Sequence, residues 1–227
     1  MTKSARSRLA QVAHVPGTSR RAAYSASTRR ALVDVAEELF TEQGYAAASL
    51  DAIVAGADVT KGALYHHYSG KQALFEAVFE KVESAGAAQI RAALEGHRDP
   101  WEKAIAGLRA FLEVVRQPSY SRIVVQDGPS ILGYERFREQ EERSTFAYVL
   151  DIVRAVLSAG DWDVDDALEH TFARIFFGAM SSAGSTVSTS EDADTEAERV
   201  ELAIGFILSG LRALSEQGRR LPDAATS

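Results

Sequence analysis

The 227 residues are 46% apolar and 25% charged, enough for one large domain or two small ones with a proper core. No cysteine occurs, which excludes a disulfide framework, a thiol nucleophile, iron–sulfur clusters and thiolate zinc sites, and points to a reducing, intracellular setting. A formal charge of −7 argues against nucleic acid bound over the whole surface. No run approaches the roughly 18 to 20 apolar residues of a membrane helix and no apolar stretch follows the basic start, so a cytoplasmic protein is expected.

Charge is spread unevenly. Up to Gly70 there are 8 bases against 6 acids, and beyond it 17 against 26. Lys3, Arg6, Arg8, Arg20, Arg21, Arg29 and Arg30 all precede Asp34, the first acid, and residues 1–24 read as a basic, flexible arm. Such a segment is either a solvated tail or a contact that follows a DNA backbone or enters a minor groove.

From Thr28 the chain reads as helices. Leu32, Val35, Ala36, Leu39 and Phe40 recur at three-and-four spacing, Asp34, Glu37, Glu38 and Glu42 avoid that stripe, and Gly44 supplies the stop. Ser49 is placed to cap a short second helix, Leu50 to Gly56, which buries Leu50, Ile53 and Val54. Ala57, Asp58 and Val59 form a turn in which Asp58 tolerates a positive φ. Thr60 then caps a third short helix, Lys61 to Tyr68, with Leu64 and Tyr68 facing inward. Two short helices joined by a tight turn, the second rich in polar donors, predict a helix-turn-helix within residues 25–71.

The third helix carries residues that suit DNA. The helix starts behind Ser49 and Thr60 offer free N–H groups and the positive end of a dipole, so both residues can be caps and phosphate ligands. Lys61 in a first turn opposes that dipole, a conflict relieved when its ammonium meets a phosphate or a guanine edge. Gly62 costs a helix roughly 1 kcal/mol relative to Ala, which is reasonable where backbone must come close to a base. Ala63 is small enough to sit on a base edge or a thymine methyl, and Tyr65, His66 and Lys71 can reach backbone oxygens. The plainer account is that Tyr65 and His66 are surface aromatics and that one of the two histidines packs against the first helix. A metal on His66 and His67 is not expected, because neighbours on a helix point about 100° apart, and no cofactor is implied. Enzyme chemistry is not expected either: the adjacent acids Glu141-Glu142 and Asp165-Asp166 diverge, and no Ser/His/Asp spacing or phosphate-binding glycine loop occurs.

The stretch from Thr28 to Phe75 resembles the DNA-binding domain of the TetR/AcrR family of bacterial one-component regulators. Phe40, Gly44-Tyr45, Ser49, the run Val59-Thr60-Lys61-Gly62-Ala63-Leu64-Tyr65-His66-His67-Tyr68, then Lys71 and Ala73-Leu74-Phe75 carry the likeness in order and spacing. The family usually has Gly in the inter-helix turn, where this chain has Asp58. The resemblance implies that Tyr65 and His67 contact the DNA backbone, with Lys71 at the start of the fourth helix as another contact.

Residues 72–227 hold no motif of that specificity. Helices are predicted from Lys71 to Glu95, from Pro100 to Arg116 with Asp99 as cap, from Ser121 to Gln126 before a loop, from Tyr134 to Ala159, from Asp163 to Ser182 and from Thr195 to Gln217. The Ser-rich acidic segment from Ala183 to Asp194 reads as a flexible connection. The fold class is therefore all-α, an N-terminal three-helix DNA-binding domain followed by a C-terminal helical domain. Wide apolar faces on the last two helices, with Phe206 lying off the stripe that one monomer can bury, call for a second buried surface, most simply an isologous four-helix interface. The resemblance implies the same arrangement, a homodimer joined through the last two helices, and a small-molecule effector bound among the middle helices. Trp101, Phe111, Tyr120, Tyr134, Phe137, Tyr148, Phe172 and Phe176 are the aromatic candidates for that pocket, with Arg109 and His170 as polar groups; an acyl, aromatic or polyketide-like effector would suit it. The implied function is a repressor released from a palindromic DNA operator by its effector. The alternative is a helix-turn-helix protein without a ligand, acting as activator or architectural factor.

Overall fold

The first helix starts earlier than its apolar stripe. In the computed structural model, which describes residues 16–162 and 164–219, α1 spans Pro16–Ala47. Pro16 suits a first helical turn and no Gly or Pro stands between Thr18 and Gln43, so the helix extends back past Thr28. Residues 16–24, expected in a flexible arm, thus belong to α1; residues 1–15 of that arm lie outside the described residues. At the other end Gly44, with φ of 75°, bends the helix. α2 (Leu50–Gly56) follows with the expected bounds and α3 (Lys61–His67) ends one residue before the expected Tyr68, which is its cap in extended backbone; the two are joined through Asp58 at φ 52°.

Leu32, Ala36 and Phe40 of α1, Ile53 of α2 and Leu64 of α3 are buried together with Leu74 and Phe75 of α4 (Lys71–Leu94). One continuous core therefore holds the three small helices and the start of α4, which then runs on into the helical body. Phe40, Tyr45 and Phe75 close this junction with ring centroids 5.2 to 5.8 Å apart. Truncating a fully buried phenylalanine such as Phe40 to Ala costs about 3 to 5 kcal/mol.

The body continues with α5 (Pro100–Arg116), a π-helix (Tyr120–Asp127), α6 (Gly128–Leu132), α7 (Tyr134–Ser144), α8 (Phe146–Ala159), α9 (Asp166–Thr189) and α10 (Ala193–Glu216). Among the described residues there is no strand, and no helix is long and apolar enough to cross a membrane. A second cluster of Trp101, Val153, Val156, Leu157, Trp162, Ala173 and Leu208 holds α5, α8, α9 and α10 together.

Three boundaries differ from the sequence reading. The segment after Arg116 is a π-helix and then α6, not a short helix and a loop, and Pro129 is accommodated in the first turn of α6. The stretch from Tyr134 to Ala159 is two helices broken at Thr145, because its charged half packs on α4 and α6 and its apolar half on α5 and α9. The supposed connection from Ala183 is largely helix: α9 continues to Thr189, leaving Ser190 to Asp192 as the link. Its hydroxyls bond back along the helix, Thr186 Oγ1 donating to the Ser182 carbonyl at 3.1 Å and Thr189 Oγ1 to the Ser185 carbonyl at 2.9 Å. Val187 is fully buried and Gly184 lets Phe111 and Val115 approach, so packing outweighs the polar composition.

Candidate DNA interface and effector cavity

Ser49 Oγ accepts the Ala52 N–H at 3.1 Å and Thr60 Oγ1 accepts the Ala63 N–H at 3.2 Å, so both predicted caps are formed. Ile53 and Leu64 pin α2 and α3 to α1. That anchoring turns Lys61, Gly62, Tyr65 and His66 outward, Tyr65 at 58% exposure, while Ala63 and His67 are half-buried. Tyr68 is core, its hydroxyl accepting a 3.3 Å bond from Arg29 Nε. The rings of His66 and His67 meet at an interplanar angle of 69° and a centroid distance of 5.2 Å. Among the described residues no cluster of three or more metal-ligating side chains occurs.

Two lysines behave differently from each other. Lys61 Nζ lies 2.7 Å from Asp51, both side chains exposed, and the hydrogen bond to that carboxylate holds its pKa above the ordinary lysine value. Asp51 escaped the sequence reading because the partners stand on separate helices. Lys71 instead turns back on the protein: its Nζ donates to the Ala46 carbonyl at 3.2 Å and sits 4.5 Å from the centre of the Tyr45 ring, and burial pushes its pKa down. Its side chain ties α4 to the end of α1. The start of α4 has Gly70 as cap and no side-chain cap bond, so no side chain of the cap residue competes for its first N–H groups.

The second site is a partly open cavity of about 280 Å³ walled by α4, α5, the π-helix, α8, α9 and α10, with Pro129 of α6 and Phe137 of α7 at its side. Phe111, Tyr120, Phe137, Tyr148, Phe172 and Phe176 line it. Trp101 does not: it is buried against Trp162 in an edge-on pair with centroids 6.4 Å apart, bordering an outer cleft between α5 and α10. Arg109 borders the same outer cleft and pairs with Glu201 at 2.7 Å. His170 lies beside the Phe146 ring, away from both spaces, and the side chain of Tyr134 lies outside those described. Sequence reasoning missed Glu83, Trp162, Phe177 and Met180 as lining residues. Glu83 carried a readable signal: it stands four residues after Phe79 and seven before Ile90, an acid on an apolar stripe, and is only 4% exposed.

Cavity and DNA-reading unit are joined by the π-helix. Tyr120 and Val124 line the cavity. On the same segment Asp127 accepts the Tyr45 N–H at 2.9 Å, and Arg122 lies 3.4 Å from Asp127 with its guanidinium over Gly44. Gly44 has a φ of +75°, which favours glycine, and a Cβ there would also displace the Arg122 guanidinium that lies over it. From α4, Lys81 bridges Asp34 at 2.5 Å and Glu37 at 2.8 Å; burial lowers its pKa, but the two carboxylates outweigh this and raise it overall.

On the outside, Ile175 of α9 and Leu202, Phe206, Ile207 and Leu214 of α10 are exposed, Phe206 at 82%. A Cβ at Gly178, Gly205 or Gly210 would meet no atom within 4 Å.

Residues 32–78 match the family profile of the bacterial regulatory proteins of the tetR family, and residues 101–211 match the tetracyclin repressor-like C-terminal domain. The chain is similar to the HTH-type transcriptional regulator SrpR of Pseudomonas putida, 27% identical over 84% of this chain and 88% of that protein. It is 33% identical to TtgW, an uncharacterized HTH-type transcriptional regulator of Pseudomonas putida, over 47% of this chain and 79% of that protein. The crystal structure of a TetR-family transcriptional regulator from Pectobacterium atrosepticum superposes with a TM-score of 0.71 at 28% identity, covering 83% of this chain and 96% of that one.

Proposed function

The chain belongs to the TetR family of bacterial regulatory proteins and is a DNA-binding transcriptional regulator, and we propose that it is a homodimeric repressor released from a palindromic operator by a small molecule. The observation that carries this reading is the outward face of α3, firmly anchored by Leu64, standing on a body that holds a largely apolar cavity. α3 is the recognition helix: Lys61, Gly62 and Ala63 meet bases or phosphates, and Tyr65, His66 and His67 meet the backbone. Ser49, Thr60 and the start of α4 at Lys71 present N–H groups to phosphates, Lys71 through its main chain because its side chain is engaged. Residues 25–71 form the DNA reader and residues 72–227 the effector and dimerisation domain.

One recognition helix reads only a few base pairs. Two related by twofold symmetry read half-sites about 34 to 36 Å apart, or a multiple of it. The exposed apolar face of α9 and α10 supplies the self-complementary surface, with Phe206 its most exposed large side chain and glycines that admit close helix approach. The protein acts in the cytoplasm, where its operator lies. Selection of bound duplexes from a random DNA library by the purified protein, near physiological salt, tests the reading. An enriched inverted repeat is expected; no enrichment by a folded protein would overturn sequence-specific reading.

A further inference from the structure

We propose that this cavity selects an uncharged, ring-bearing apolar molecule of two to three rings carrying one hydrogen-bond donor for Glu83, and rejects carboxylates. The inference rests on the reading of that cavity as the effector site. Its described lining holds no Lys, Arg or His. An anion that entered would leave water with no cation to meet it, the most costly way to bury a charge. The acidic side chain it would meet is Glu83, projecting from α4 at 4% exposure. A carboxyl group has acceptor positions for more than one neighbour, so Glu83 can take a ligand O–H or N–H in addition to a protein contact. The walls are otherwise mostly apolar and aromatic, with neutral hydroxyls on Tyr120, Thr145, Tyr148, Ser181 and Ser185 but no cation, and with Phe111, Trp162, Phe172 and Phe176 placed to pack a ring edge-on or offset. Size sets the remaining limit. A cavity of about 150 Å³ holds one benzene, so this one, at about 280 Å³, holds roughly twice that bulk. Straight-chain acyl acids fail on charge.

The test uses the intact protein and three probes: 2-naphthol, 2-naphthoate and dodecanoate. Both tryptophans of the chain stand at the cavity end, Trp162 in its wall and Trp101 against it, so intrinsic fluorescence reports occupancy and thermal stabilisation gives an independent readout. Saturable binding of 2-naphthol is expected, at least tenfold tighter than either carboxylate at neutral pH. Met180→Trp, which fills the cavity, is expected to abolish the naphthol stabilisation, and Glu83→Gln to narrow the naphthol-to-naphthoate ratio. A carboxylate bound as tightly as 2-naphthol would overturn the charge selection while leaving the cavity as an effector site. Naphthol binding unaffected by Met180→Trp would place the probe elsewhere and overturn the assignment. No saturable response to any of the three would overturn the effector reading itself.

Discussion

Gly62→Ala separates folding from DNA reading, because it should move them in opposite directions. Gly62 lies in the first turn of α3 with helical backbone, and a Cβ built on it would meet only Thr60 Oγ1, at 3.8 Å, an ordinary contact. Nothing in the free protein therefore requires glycine. Alanine in its place removes a helix penalty of roughly 0.8 to 1 kcal/mol, so the variant should unfold about 2 to 4 °C higher in a scanning experiment. On DNA the same methyl group intrudes between α3 and the groove. A loss of about 1.4 kcal/mol, tenfold in Kd, is the least expected when backbone and base are in contact. Paired measurements on one preparation, thermal unfolding and titration of the selected operator, decide the matter. A variant that is more stable and binds as tightly as the parent would refute the close approach, and Gly62 would be a tolerated imperfection in an exposed helix. A variant that is less stable would refute the steric reasoning from the free protein.

Other substitutions follow the same logic. Asp51→Asn frees Lys61 from its 2.7 Å partner and is expected to strengthen DNA binding at low salt; weaker binding would make Asp51 a DNA contact in its own right. Lys61→Ala should reduce the magnitude of the log–log salt slope by about 0.9 for each phosphate that the lysine neutralises, and an unchanged slope removes it from the phosphate ligands. Phe206→Glu should yield monomers in sedimentation with the helical content intact, since that side chain touches little of its own protomer at 82% exposure; a dimer that persists would move the interface elsewhere. Asp127→Ala leaves the Tyr45 N–H without its acceptor, costs about 1 to 3 kcal/mol of stability and should blunt effector-induced release of the operator more than operator binding itself. Equal effects on both would reduce Asp127 to a purely structural group.

The DNA-reading half was legible because its rules are local. Ser49 and Thr60 cap the helices they precede, Asp58 takes the positive φ of its turn, and Leu64 and Tyr68 point inward four residues apart, all decided within a few residues. The body was less legible because tertiary packing overrides composition there. Serines and threonines from Ser182 to Thr189 look like a linker until the Thr186 and Thr189 hydroxyls find carbonyls one turn back, Ser188 meets Ser121 and Val187 finds the core. Aromatic residues as such did not distinguish cavity wall from filled core. Phe111 and Trp101 stand on the same helix, yet one lines the cavity and the other packs on Trp162, a difference set by which partner helix each faces. Polarity alone points to Arg109 and His170, whereas their environments, a surface ion pair and the Phe146 ring, depend on contacts distant in the chain.

How a ligand could act on DNA follows from the shortness of the path. The π-helix is eight residues long, yet it supplies Tyr120 and Val124 to the cavity and Arg122 and Asp127 to the bend of α1 at Gly44–Tyr45. Such wide-turn helices are seldom long and often mark functional sites, because their hydrogen bonding competes closely with the α form. α4 offers a second route, with Glu83 in the cavity wall and Leu74 and Phe75 in the core beneath α1. Neither route requires large movement. In the proposed homodimer each α3 is carried on its own protomer, so a small rotation of the DNA reader at the Asp127 contact would be doubled across the twofold and would change the half-site spacing. To weaken the operator complex a hundredfold, the ligand need favour the non-binding spacing by only about 2.7 kcal/mol. That lies within the range set by one buried hydrogen bond and a few aromatic contacts, the inventory that Glu83 and the rings of the cavity hold.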